Sequence, residues 1–292
     1  MALVRNLRHS CPRSTLVSFS NTFNVSHRRV SSVPQDIIDH LDQKKPLANS
    51  VNLYSRHFSV STGEYNWPAT IKDDVNGPSF RLSQFVVDWA TSMKPNKNII
   101  YTKSSHRSKL PCVHVYPDNV RVTFNSSTLE EVKKFQYAWM FGNDQKLDFL
   151  TVEKVPANAV HIYVCCHGAR DHRCGVIGGL LISGMREYIT APPTDVAESL
   201  QQLDIQVFGC SHIGGHKFAG NMVLYKPDWK QGIWYGRVLP DDIDYIMRET
   251  VINGKIIGKH WRGGLPDGTW DPKEHMTAED AEQRSIDCGC MS

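Results

Sequence analysis

The stretch Ala159-Val160-His161-Ile162-Tyr163-Val164-Cys165-Cys166-His167-Gly168-Ala169-Arg170-Asp171-His172-Arg173-Cys174-Gly175 decides the fold. Ala159–Cys166 is an apolar run of strand length, broken only by His161. A loop charged at Arg170, Asp171 and Arg173 follows, and Val176–Tyr188 then reads as a helix. Ile205–Phe208 is a second buried strand. Two parallel strands need a crossover between them, which residues 176–188 supply.

Working outward, Val223–Tyr225 and Ile233–Val238 read as two further strands, with a turn at Pro227-Asp228 and Lys230–Gly232. Pro240–Asn253 reads as an amphipathic helix through Ile243, Ile246, Met247 and Val251. Strand–helix–strand, hairpin, helix is the element order of a thioredoxin-like α/β domain, although other α/β folds share it. Upstream, His57–Ser61, Val113–Val115 and Val120–Phe124 are short strands, the last two around the turn Pro117-Asp118-Asn119. Leu82–Met93 and Ser127–Phe141 are helices, the second opened by a Ser/Thr cap with Glu130 and Glu131 in its first turn. Asp73–Pro78 is a loop. The expected organisation is a segment 1–35, an α+β domain 36–150, a thioredoxin-like domain 151–255 and a tail 256–292.

The formal charge of +3 is unevenly distributed. Residues 1–35 hold five arginines (Arg5, Arg8, Arg13, Arg28, Arg29), many serines and no acid, the composition of a mitochondrial transit peptide. The rest has 28 Lys and Arg against 30 Asp and Glu, so no electrostatic footprint for nucleic acid is expected. No apolar run approaches the ~18 residues of a membrane span.

The eight cysteines are Cys11, Cys112, Cys165, Cys166, Cys174, Cys210, Cys288 and Cys290. Most crowd into mid-chain and the last five residues, which points to metal or redox work rather than a stapled scaffold. A second loop, Gly209-Cys210-Ser211-His212-Ile213-Gly214-Gly215-His216-Lys217-Phe218-Ala219-Gly220-Asn221, also follows a strand. Both loops therefore reach one sheet edge, where open α/β sheets place ligands. Thiolates with imidazoles suit zinc, copper or iron–sulfur and exclude magnesium and calcium. The Cys165–Cys174 spacing is too wide for a zinc knuckle and is not a C-x-x-C dithiol. Gly214 and Gly215 make the His212/His216 segment a tight loop. Such a pair of loops matches a cluster with two thiolates on one iron and two imidazoles on the other. Cys112 and Cys210 read as small buried hydrophobes, and His167 and His172 as loop or supporting residues.

The motifs Cys-x-His-x-x-Arg-Asp-x-Arg-Cys-Gly (165–175) and Cys-Ser-His-x-Gly-Gly-His-Lys-x-Ala-Gly-Asn (210–221) resemble the sucrase/ferredoxin-like family. Trp234-Tyr235-Gly236 and Pro240 continue the likeness, which covers about 155–253. The resemblance implies a thioredoxin-like ferredoxin half, with a 2Fe–2S cluster held by Cys165 and Cys174 as thiolates and by His212 and His216 as imidazoles. Vicinal Cys166 departs from the pattern and leaves the first ligand to be chosen between two neighbours. The arginine-rich start fits a mitochondrial branch, matrix or intermembrane space.

One-electron transfer follows as the expected function, with separate donor and acceptor proteins and the iron–sulfur assembly machinery as partners. No dinucleotide fingerprint is present in a strand–helix context, since Gly178-Gly179 lies inside a helix, and no Ser–His–Asp signature is evident. The rival expectation is a thiol-based redox or quality-control protein, with zinc or no metal. It would use Cys165, Cys166, Cys174 and the C-terminal pair Cys288 and Cys290.

Overall fold

A computed structural model describes residues 32–52, 54–71, 99–125, 128–141, 147–227, 229 and 232–264. The arginine-rich start up to residue 31, the expected loop Asp73–Pro78 and helix Leu82–Met93, and the cysteines Cys11, Cys288 and Cys290 lie outside the described residues.

The strands are β1 (Arg56–Ser61), β2 (Ile99–Ser104), β3 (Cys112–Tyr116), β4 (Val120–Phe124), β5 (Leu150–Lys154), β6 (Ala159–Cys165), β7 (Asp204–Cys210), β8 (Met222–Tyr225), β9 (Ile233–Tyr235) and β10 (Trp261–Gly263). Among the described residues they form one sheet in the order β10-β9-β8-β6-β7-β2-β1-β3-β4-β5. The helices are α1 (Gln35–Asp39), α2 (Leu129–Phe141), α3 (His172–Thr190), α4 (Ala197–Gln201) and α5 (Ile243–Ile246). None is long and apolar enough to cross a membrane.

The expected thioredoxin-like unit is present. β6 pairs in parallel with β7 and antiparallel with β8, and β8 pairs antiparallel with β9. Every residue of β6 is buried, as befits a central strand covered on both faces. The crossover is α3, which lays Ile177, Leu181, Ile182 and Met185 into the core. Burying each such side chain contributes roughly 1.5–3 kcal/mol. The expected single helix over Pro240–Asn253 is instead a tight turn at Pro240–Asp242, then α5, then a wide turn over Met247–Ile252. In that wide turn the Asn253 amide bonds to the Arg248 carbonyl five residues back, at 3.1 Å. The widening sets Met247, Thr250 and Val251 against the core, where Thr250 bonds the Tyr235 hydroxyl at 2.7 Å.

The N-terminal strands continue the same sheet. β7 meets β2 at Ser104↔Cys210, reinforced by Ser211 N to Lys103 O and Ser105 N to Gly209 O, both 2.8 Å. β1, β3, β4 and β5 then form an antiparallel ladder. α2 covers it, burying Val132 and Phe135 against Phe58, Val113, Val122 and Phe124. Its start is a capping box: the Thr128 amide donates to Glu131 Oε2 at 2.9 Å, and the Glu131 amide to Thr128 Oγ1 at 3.3 Å.

The sheet curls so strongly that β3 touches β6 across three intervening strands. Tyr116 Oη lies 2.6 Å from His161 Nδ1, and the Tyr116 and Tyr225 rings stack at 3.8 Å. His57 bridges Tyr225 Oη and Thr102 Oγ1, each at 2.8 Å, and burial lowers its pKa to about 3, so it stays neutral. Each buried polar group named here has a partner, which is what makes such a polar interior affordable.

Two neighbouring glycines on α3 have opposite surroundings. A Cβ on Gly178 would collide with the Cys165 carbonyl oxygen and sit 2.9 Å from Cys166 Cα, whereas one on Gly179 meets nothing within 4 Å. Gly178→Ala is expected to lower unfolding free energy by about 1–3 kcal/mol through overpacking. Gly179→Ala should raise it by roughly 0.5–1 kcal/mol through helix propensity. Urea denaturation of the two variants checks the pair, and equal effects would contradict the close approach of α3 to the end of β6.

Candidate metal centre

The register of the central pair sets Cys165 opposite Cys210, so both strands end side by side. From β6 the chain turns through residues 166–171 into α3. Asp171 caps that helix: its Oδ1 accepts from the Arg173 amide at 3.1 Å. The Arg173 guanidinium also grips both carboxylate oxygens, at 3.0 and 2.9 Å, and reaches the His40 carbonyl at 2.7 Å. The charged loop is thus closed by an internal ion pair. It places Cys174 in the first turn of α3, where the helix dipole favours a thiolate.

Cys165 and Cys174 are both fully buried and hydrogen-bonded to each other through their sulfurs. The bond from Cys174, aided by His212 beside it, holds the Cys165 thiol well below its usual pKa despite burial. The same bond, and then burial, pushes Cys174 up.

The second loop closes over them. Gly214 (φ 81°) and Gly215 (φ 68°) take left-handed conformations, which lets His216 follow on a short turn. The His212 and His216 rings are 5.4 Å apart, His216 exposed and His212 half-buried. His212 Nδ1 is buried with no hydrogen-bond partner, an orphan that natural interiors rarely tolerate without a role.

Cys166 faces the other way, as adjacent strand residues must. Its sulfur points at the Tyr65 and Cys210 carbonyls, 3.7 and 3.9 Å away, and burial pushes its thiol up to about 12. Of the vicinal pair, Cys165 is the one brought to Cys174 and His212. Cys210 is fully buried behind them, its thiol likewise pushed up by burial, and His172 is exposed at the start of α3. Cys112 lies elsewhere, on β3.

His167 is a supporting residue. Its Nε2 lies 3.0 and 2.9 Å from the Trp67 and Pro68 carbonyls, so that nitrogen carries the proton. Its Nδ1 accepts from the His212 amide at 3.2 Å, tying the two loops together.

Two further residues hold the second loop, Arg262 with no local signal in the sequence and Asn221 as the last residue of the second motif. Arg262, on β10 and 2% exposed, donates to the Gly214 carbonyl at 3.2 Å, Asn221 Oδ1 at 2.7 Å and Ser50 Oγ at 3.0 Å. Burial lowers its pKa to about 10, and the neighbouring Cys165 and Cys174 sulfurs oppose that shift. It remains a cation at neutral pH and offsets thiolate charge. Asn221 supports the same loop from below, donating to the Gly215 carbonyl at 3.0 Å. A side chain on Gly215 would strike the Arg262 guanidinium. The donor set suits a soft or borderline metal centre: two thiols on a buried wall, two imidazoles on an outer rim, and a buried cation beside the sulfurs.

The chain matches the family model described as sucrase/ferredoxin-like over residues 47–263. It is 36% identical over 215 residues to altered inheritance of mitochondria protein 32 of Meyerozyma guilliermondii, covering 67% of this chain and 72% of that protein. To the protein of the same name from Debaryomyces hansenii it is 31% identical over 172 residues, covering 52% of this chain and 59% of the relative. The chain thus spans under two thirds of the first curated relatives it matches. A thioredoxin-like [2Fe-2S] ferredoxin from Aquifex aeolicus is a structural neighbour at 19% identity and TM-score 0.27, covering 37% of this chain and 99% of that one.

The cap at Asp171 is testable without any metal. Arg173 depresses its carboxyl pKa below the ordinary 3.8. Its stabilising contribution is therefore present above that unfolded value and lost as pH falls through the lower folded one. Asp171→Ala should cost about 0.5–2 kcal/mol at pH 7. Urea titrations of both proteins at falling pH should show the difference shrinking only below the ordinary carboxylate range. A difference that is constant down to strongly acidic pH would contradict the ion-paired cap.

Proposed function

Because the chain belongs to the sucrase/ferredoxin-like family, we propose that Cys165, Cys174, His212 and His216 hold a 2Fe–2S cluster used for one-electron transfer. The observation that carries the reading is the buried Cys165–Cys174 pair facing the orphaned imidazole of His212. Two thiolates with two imidazoles is the donor set of a Rieske-type cluster. Among the described residues, the donor trio closing within 4.8 Å lies elsewhere, at His106, Cys112 and His114. The shared name of the relatives points to the mitochondrion as the place where the chain works.

When bound, such a group supplies a one-electron couple whose potential is raised by imidazole in place of thiolate. The protein's own residues would do the rest. Cys165 and Cys174 would bind as thiolates, and Arg262 would compensate the resulting charge from within the fold. His167 and Asn221 fix the second loop, so little rearrangement accompanies a change of charge. His216, exposed at the rim, offers the face that donor and acceptor proteins would approach. Assembly would require delivery of iron and sulfide by the iron–sulfur machinery.

A thiol-exchange reading has one observation in its favour, the hydrogen-bonded and acidified Cys165. Both sulfurs are inaccessible, however, and exchange needs an approach for the attacking thiolate. Anaerobically purified protein should be red-brown, with two iron and two sulfide per chain. Zinc alone, or no metal, would overturn the proposal in favour of thiol chemistry. His216→Cys should lower the midpoint potential and flatten its pH dependence, measured by optical redox titration. An unchanged, pH-dependent potential in that variant would remove His216 from the ligand set.

A further inference from the structure

A second group of metal-type donors sits away from the first, where the chain leaves β2 and enters β3. His106 lies two residues beyond the end of β2, while Cys112 and His114 stand two apart on β3 and so share a face. One donor atom from each, the Cys112 sulfur and a ring nitrogen of each histidine, lies within 4.8 Å of the other two. We propose that His106, Cys112 and His114 form a mononuclear site for a borderline divalent ion, with zinc as its natural occupant.

Three observations carry this independently of the cluster. The donor set comes first: two imidazoles and a thiolate suit zinc and its neighbours and reject magnesium and calcium. Second, His114 is 3% exposed, yet its Nδ1 is buried with no hydrogen-bond partner. The neighbouring buried histidines are satisfied: His57 by Tyr225 and Thr102, His161 by Tyr116. An unpartnered ring nitrogen in such an interior is costly unless something ligates it. Third, the surroundings are those of an oriented site. Ser61 Oγ lies 2.8 Å from His106 Nδ1 and fixes that ring, and the His106 and His114 rings meet edge to face at 4.8 Å. The Phe208 ring packs over both, 5.3 and 6.3 Å away.

Zinc bonds of about 2.0–2.3 Å set tetrahedral donors roughly 3.3–3.7 Å apart, so the trio needs to close by no more than about 1.5 Å. Arg121 stands opposite His114 in the β3–β4 register, and Glu153 neutralises it, accepting from its Nε at 3.0 Å. With three protein ligands and His106 only half-buried, the fourth position is left to water or an incoming ligand, the open pattern of zinc sites. The ion would pin the 105–111 loop to β3 and, through Ser61, to the end of β1.

Cobalt(II) is the probe, added to chelator-treated full-length protein carrying Cys174→Ser to silence the first site. The expected result is one cobalt per chain with a thiolate-to-cobalt charge-transfer band, displaced by zinc. Adding Cys112→Ser should abolish the band. Adding His106→Gln, at the half-exposed edge where folding is not at stake, should weaken zinc affinity by roughly 10- to 100-fold. A band that survives Cys112→Ser overturns the proposal. So does its absence from Cys174→Ser protein with native near-ultraviolet circular dichroism, or an unchanged zinc affinity in His106→Gln.

Discussion

Seven register pairs, from Ala159↔Asp204 to Cys165↔Cys210, lock β6 against β7 in parallel at the middle of the sheet. Two loops that are 36 residues apart in sequence at Cys174 and Cys210 are delivered to one edge by that pairing. A parallel pair cannot be closed by a short turn, so α3 must cross over one face. Its first turn then returns Cys174 to the strand end it just left. The close fit of Gly178 on the Cys165 carbonyl is what permits the return, because any Cβ there would hold the helix off.

Charge and burial act together at this edge. Two sulfurs with no solvent exposure would be costly as thiolates in an apolar interior. Three features reduce that cost: the mutual Cys165–Cys174 hydrogen bond, the N-terminus of α3 and the buried Arg262. The arginine comes from β10, at the far edge strand of the sheet, and reaches past Asn221 to the glycine loop. The histidine loop is therefore held from beneath by a cation and from the side by His167. Its outer face is free to meet solvent at His216.

The central unit was legible because its signals are strong and local. β6 is an uninterrupted buried run, α3 has helical spacing, and both loops carry dense donor motifs. The strands missed were those with weak or misleading patterns. β2 hides Lys103 at 2% exposure, a burial that no sequence rule anticipates for a lysine. β5 is an edge strand of largely exposed residues, Thr151 to Lys154, and its alternation is only two apolar residues long, Leu150 and Val152. β10 is three residues long and falls within the expected tail 256–292, which conceals Arg262. The vicinal cysteines illustrate a subtler limit. Strand alternation says that Cys165 and Cys166 face opposite sides, but only the register against β7 and the packing of α3 tell which side is which. The orphaned nitrogens of His114 and His212 are invisible in sequence, since they depend on every neighbour that fails to reach them.

Pulsed electron paramagnetic resonance of the reduced, cluster-loaded protein tests the four-ligand assignment most directly. Two inequivalent, strongly coupled nitrogens are predicted, one lost in His212→Cys and the other in His216→Cys. A reduced signal with no strongly coupled nitrogen, or with both couplings intact in either variant, would contradict it.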